Sequence, residues 1–209
     1  MRRGLTPTQT VGPFFRDSLL REDMRYNVVA GPGTEGEPIR IEGYVYDGDR
    51  APVPDALVEI WQADSRGRYW SPSGDGGVLP VPPAGEFIGF GRSGTDDSGH
   101  FWFETIKPGR VPFDSDHLEI LQAPHMGVIV HARGLLNHLL TRIYFAGDPA
   151  NETDPVLERV PPERRETLLA RPSTHSFPEA EFEAMYRANL QKRGSYLSQF
   201  VAPAREAAE

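Results

Sequence analysis

Alternation of apolar and polar positions sets in at residue 39 and returns in several short runs. In "IRIEGYVYD" (39–47), Ile39, Ile41, Gly43 and Val45 alternate with Arg40, Glu42, Tyr44 and Tyr46, and the run ends in the turn residues "DGDRAPVPDA". "LVEIWQAD" (57–64) alternates again and closes at "DSRGRY". "GFGRSGTDDSGHFWFETIKPG" (89–109) reads as turn, strand, turn, with Asp97, Ser98 and Gly99 as the reversal. "GVIVHARG" and "LLTRIYFAGD" are two more strands, with Gly134 and Asn137 supplying turn chemistry between them. From Met126 onward, Met126, Val128, Val130 and Ala132 point one way and Gly127, Ile129, His131 and Arg133 the other, with His125 at the strand entry. Short strands separated by Gly, Pro and Asp turns predict an all-β fold over residues 39–172, an antiparallel β-sandwich or barrel.

The flanks differ. Residues 1–38 carry no periodicity and predict an irregular N-terminal arm, whose Phe14 and Phe15 require cover from the domain or from a partner chain. In residues 173–209, Phe182, Met185, Leu190 and Tyr196 fall nearer a three-to-four spacing. With Pro178 as the helix start and Gly194 as its stop, short of Tyr196, that pattern predicts a helical C-terminal tail.

Composition narrows the function classes. The 38% hydrophobic and 10% aromatic content suits one globular domain rather than disorder. No apolar run approaches the roughly 20 residues of a membrane span, and no hydrophobic segment follows Arg2 and Arg3 as in a secretory signal, so a cytoplasmic protein is expected. With no cysteine the chain has no disulfide, thiolate ligand or cysteine nucleophile. A net charge of −8 argues against a nucleic-acid partner, which requires clustered Lys and Arg.

Most catalytic patterns are missing. There is no G-x-S-x-G elbow, "GTDDSG" lacks the lysine and helix of a phosphate cradle, and the paired Asp96 and Asp97 sit in a reversal where solvation explains them. Six histidines are present (100, 117, 125, 131, 138 and 175), none at metal-binding spacing. A lone histidine at a strand entry, as His125 is, is more often a hydrogen-bonded structural residue than a ligand.

Three segments in order, "IRIEGYVYDGDRAPVPDALVEIWQADSRGRYW", "GRSGTDDSGHFWFETIKPG" and "APHMGVIVHARGLLNHLLTRIYFAGDP", closely resemble the intradiol ring-cleaving dioxygenases. The resemblance spans roughly residues 5–170 and rests on several motifs at family spacing. It implies a β-sandwich, Fe(III), and cleavage of a catechol between its hydroxyl-bearing carbons. The family's iron is held by two tyrosinates and two histidines, hard anionic donors and imidazoles that suit ferric iron. Matched position by position, the first tyrosine is Tyr69 in "GRYW". The second falls on Val111 in "PGRVP". The histidine pair falls on His125 and Gly127 in "HMG", and the arginine preceding them is matched by Gln122.

Half of the implied ligand set is therefore absent. The resemblance then implies a chain without its own metal or catalytic residues. Such a chain works with a homologous, iron-bearing partner subunit that cleaves protocatechuate, a catechol with a ring carboxylate, in aromatic catabolism. In two-chain members the arm and an arginine reach the substrate. Those positions are Thr10, Gly12, Pro13 and Phe14, where a tyrosine is expected, and Arg133, whose planar fork suits a carboxylate. The plainer readings are a structural ion pair for Arg133 and an arm that only buries its aromatics. A competing reading is a non-enzymatic, transthyretin-like β-sandwich binding module, which shares the "PVPDALVEIW" and "DDSGHFWFETIKPG" skeleton. "HLLTRIYFAGDP" and "TPTQTVGP" lie outside that skeleton and favour the dioxygenase. The family's usual terminal strands have no counterpart in the expected helical tail.

Overall fold

β-branched and aromatic residues at alternate positions, punctuated by glycine and proline, form eight strands among the described residues of the computed structural model. The structure describes residues 7–21, 26–30, 33–70, 87–173 and 194–201. A short helix α1 (Pro13–Leu19) precedes β1 (Pro38–Tyr46), β2 (Leu57–Gln62), β3 (Phe90–Gly94) and β4 (His100–Ile106). There follow β5 (His125–His131), β6 (Leu139–Phe145), the helical turn α2 (Pro162–Arg165), β7 (Leu169–Pro172) and β8 (Gly194–Val201). Hydrogen-bonded neighbours run β3-β2-β5-β6-β7-β8-β1-β4. β7 pairs with both β6 and β8, so one corner joins two layers. Most ladders are antiparallel; β6–β7 and β1–β8 are parallel.

The two layers close on one core. Ile39, Ile41 and Val45 of β1 and Phe101 and Phe103 of β4 meet Val58 and Ile60 of β2, Met126, Val128 and Val130 of β5, and Ile143 and Phe145 of β6. The inward face predicted for β5 is buried as expected, with Met126 and Val128 fully enclosed. Each such side chain contributes about 1.5–3 kcal/mol. Of the sandwich and barrel that the alternation allows, the sandwich implied by the family resemblance is the architecture found.

Three expectations are corrected or extended. The arm is not wholly irregular: Pro13 opens α1 at the position where a missing N–H costs nothing, and Leu20 is buried. Gly94 is what admits Leu20, because a Cβ there would sit 2.4 Å from Leu20 Cδ1. Residues 26–30 then bridge to Arg92 and Glu104. On β1 the outward residues Arg40 and Glu42 are buried too: Arg40 donates to Glu42 (2.6 Å) and lies over the Trp102 ring. In the tail, residues 194–201 form strand β8, parallel to β1 and antiparallel to β7, and not part of a helix. The helix expected from Pro178, with Phe182, Met185 and Leu190, lies outside the described residues. Among those described, no helix is long and apolar enough to cross a membrane.

The reversal at 96–99 is built as the sequence implies. Asp96 Oδ1 accepts from Ser98 N, Ser98 Oγ and His100 N, and Gly99 takes φ 78°.

Candidate functional site

β5 positions the candidate residues at its two ends. At its start, His125 is 5% exposed, and its Nδ1 lies 2.8 Å from the Ala123 carbonyl. That bond puts the ring proton on Nδ1 and leaves Nε2 as an acceptor. Burial pushes the His125 pKa down; the Ala123 carbonyl opposes this, the Arg142 charge adds to it, and Asp154 opposes it. The imidazole is neutral at pH 7.

A cavity of about 470 Å³ opens beside it, bordered by Trp61, Tyr69, His125, Gly127, Arg142 and Tyr144 among others. Tyr69 and Trp61 lie 7° from parallel with ring centroids 6.5 Å apart. Partial burial raises the Tyr69 pKa, with Arg142 opposing, so the hydroxyl stays protonated. The loop that presents Tyr69 is drawn tight by Asp64. Its Oδ1 accepts from Arg66 N and Arg68 N, and its backbone carbonyl accepts from Gly109 N. Val111 follows directly. It is 4% exposed, and Gln122 N donates to its carbonyl.

The positions matched to the ligand set therefore supply two donors, Tyr69 and His125. Val111 is a buried aliphatic side chain and is not among the residues lining the cavity. A Cβ built at Gly127 meets nothing nearer than Trp61 O at 3.6 Å, so the second histidine position is open space. Among the described residues, no group of three or more His, Asp or Glu is arranged to hold a metal ion. This donor set does not fit a site of two tyrosinates and two histidines.

Two residues lining this cavity, Arg142 and Tyr144, and Asp154 behind them were not singled out from the sequence. Arg142 stands directly across from Gly127 in the β5–β6 register. Its Nη1 donates to Gln122 Oε1 (2.8 Å) and to the Tyr144 hydroxyl (3.2 Å). Tyr144 is fully buried and donates to Asp154 Oδ1 at 3.4 Å. Asp154 in turn accepts from the backbone of Ala123 and so anchors the residues leading into His125. Alternation places Arg142 and Tyr144 on one face of "LLTRIYF", but only the strand register puts that face at the cavity.

At the far end of β5 the arm closes down. Thr10 Oγ1 accepts from Gly134 N (2.8 Å), and the Phe15 ring lies 5.3 Å from His131. A smaller cavity of about 170 Å³ is bordered by Gly12, Phe15, Arg16, Asp55, His131 and Arg133. Arg133 Nε is ion-paired with Asp55 Oδ2. Phe14 is 79% exposed, so the cover its sequence calls for is not supplied by the described residues of this chain. The structure thus brings Thr10, Gly12 and Arg133 together, and separately Tyr69, His125 and Gly127. The six-residue step from His125 to His131 is about 20 Å of strand.

Residues 11–192 match the dioxygenase family model. The chain belongs to the dioxygenase family. It is 41% identical over 176 residues to the protocatechuate 3,4-dioxygenase alpha chain of Burkholderia cepacia, covering 79% of this chain and 83% of that one. The alpha chain of Pseudomonas putida is 34% identical over 200 residues, covering 90% and 92%. The Burkholderia cepacia beta chain is 35% identical over 152 residues, covering 73% of this chain and 63% of that one. Hydroxyquinol 1,2-dioxygenase from Pseudomonas putida shares the fold with TM-score 0.61 at 23% identity, over 96% of this chain and 68% of that one. So does a dioxygenase domain from Streptomyces sp. SirexAA-E, with TM-score 0.60 at 23% identity, over 95% and 99%.

Neutral burial of His125 gives this dioxygenase-family chain a pH-dependent stability. A histidine with a lowered folded pKa binds fewer protons folded than unfolded, so stability rises with pH. The contribution is complete above about pH 6.5 and is lost as pH falls below it, at up to about 1.4 kcal/mol per unit for one group. Urea unfolding at pH 7.5 and 5.5 is expected to show lower stability at pH 5.5. His125→Gln is expected to flatten that difference; an unchanged slope would assign it elsewhere, His131 being shifted the same way.

Proposed function

We propose that this chain is the iron-free alpha subunit of an Fe(III)-dependent protocatechuate 3,4-dioxygenase. The iron is held by a homologous beta subunit. The complex cleaves protocatechuate between its hydroxyls and inserts both atoms of O2 to give 3-carboxy-cis,cis-muconate. The observation that carries this reading is the contrast between the ends of β5. At one, Val111 and Gly127 remove half of the donor set. At the other, the Gly134 N–H donates to Thr10 Oγ1 and ties the arm down beside a formed cavity that Arg133 borders. The identity to two alpha chains across most of their length supports the same reading.

This chain's own contribution is wall and clamp. The arm, with Thr10, Gly12, Pro13 and Phe14, lines the shared site, and the exposed aromatic ring of Phe14 packs against the partner. Arg133 is held at Nε by Asp55, and the remaining N–H groups of its planar fork face the substrate carboxylate.

Co-expression with the iron-bearing partner tests the assignment. Expected are one iron per pair, oxygen uptake with protocatechuate, and a colourless preparation of this chain alone. A tyrosinate–iron absorption band from the isolated chain overturns the reading. Arg133→Ala is expected to raise KM about tenfold with kcat little changed, the loss of one charge-assisted contact.

A further inference from the structure

We propose that the cavity between β2, β5 and β6 is a binding site for a planar aromatic carboxylate, with Arg142 taking the carboxylate and Trp61 and Tyr69 the ring. The inference goes beyond the reading above and needs neither a metal nor a partner chain.

Arg142 is the first support. Its Nη1 is shared between two neutral acceptors, Gln122 Oε1 and the Tyr144 hydroxyl, while its Nε and Nη2 have no hydrogen-bond partner among the described residues. Among those residues no carboxylate forms an ion pair with it. Asp154, the acid nearest in the network, is occupied by three backbone N–H groups and the Tyr144 hydroxyl. A guanidinium at a cavity wall with two free donor edges and no counter-ion is a site for a planar anion.

The ring has its own surface. Trp61 and Tyr69, stacked nearly parallel with centroids 6.5 Å apart, both border the cavity, and Leu140, Val156 and Leu168 add apolar wall. The volume of about 470 Å³ lies within the range of small-molecule sites. Residue 127 adds no side chain to that wall, and a Cβ there would meet nothing nearer than Trp61 O at 3.6 Å. His125 Nε2, held as an acceptor by the Nδ1 bond to Ala123, is suited to a hydroxyl on the ring. Carboxylate, ring and hydroxyl together describe a hydroxybenzoate. The positively charged wall excludes neutral phenols only by default, through the loss of the charge-assisted bonds.

The test is a calorimetric titration of the full-length chain with 4-hydroxybenzoate, which lacks the second hydroxyl that ring cleavage requires, and with neutral 4-hydroxybenzamide. One saturable site is expected for the acid, with the amide about tenfold weaker or worse. Arg142→Leu is expected to weaken the acid by about the same factor and to leave the amide unchanged. Gly127→Val fills the space from within the strand and is expected to abolish binding of both; because it leaves the Arg142 contacts in place, it serves if Arg142→Leu does not fold. In the complex with the iron-bearing partner, wild type is expected to bind one more equivalent per chain than Gly127→Val. Equal affinity for acid and amide, or wild-type affinity in the folded Arg142→Leu protein, overturns the proposal, as does the absence of saturable binding. Iron content and oxygen uptake do not enter these readouts, so the alpha-subunit reading stands or falls separately.

Discussion

Asp154→Ala is expected to destabilise the protein by about 3–5 kcal/mol. The side chain is 1% exposed and binds four donors: Ala123 N at 2.6 Å, Leu157 N at 2.7 Å, Val156 N at 2.8 Å and the Tyr144 hydroxyl at 3.4 Å. Alanine leaves three backbone N–H groups buried or half-buried without an acceptor, each costing about 1–3 kcal/mol. Relief of the carboxylate's own desolvation offsets part of that sum. For a chain of this size the loss lowers Tm by about 6–20 °C. Asp154→Asn keeps one carbonyl oxygen for Val156 and Leu157 but turns an amide donor towards Ala123 N, so its stability falls between wild type and alanine. Chemical denaturation of the three proteins checks the order. A loss under about 1 kcal/mol for alanine would mean that water replaces the carboxylate. The effect extends to the cavity, because Asp154 fixes Ala123, and the Ala123 carbonyl orients His125.

Gly67→Ala is the second large effect. Gly67 has φ 76°, and a Cβ there would lie 1.8 Å from Arg110 O and 2.9 Å from its carbonyl carbon. No rotamer relieves a clash between two backbone segments. Left-handed backbone costs an alanine about 1–2 kcal/mol on its own, and separating the segments also strains the bond from Gly109 N to Asp64 O. A total of about 3 kcal/mol or more is expected, at the upper end of single substitutions. The loop carrying Tyr69 then lifts from the 109–111 segment, so the Tyr69–Trp61 pairing loosens and tryptophan emission changes with it. Gly127→Ala is the internal control. Its Cβ meets only Trp61 O at 3.6 Å, and the substitution is expected to stay within about 0.5 kcal/mol of wild type. Similar losses at both glycines would refute the close-approach argument.

What the sequence made legible, and what it did not, follows from how local each cause is. The strands were readable because alternation is written into neighbouring residues: Met126, Val128 and Val130 face the core as their spacing predicts. The burial of Arg40 and Glu42 was not readable, because their partners Glu104, Trp102 and His100 lie on another strand. α1 spans only Pro13–Leu19, too short for periodicity to register. At residues 194–201 the local pattern gave the wrong element, since the open edges of β1 and β7 offer that segment backbone partners. The loss of donors at Val111 and Gly127 was legible by matching motifs. Arg142 was missed because its importance lies in standing opposite Gly127, a fact of register between strands. Asp154 was missed because its value lies in the amides that surround it.

β5 is held on both sides, by β2 and by β6, with its inward side chains locked into the core. A slip of one residue would turn that whole face to solvent, so the strand cannot slide. It behaves as a ruler with two independent ends. Substitutions around His125 can therefore accumulate while the Thr10–Arg133 cluster keeps its geometry. The side chains at one end can change without moving those at the other, because the strand between them is fixed in register on both sides.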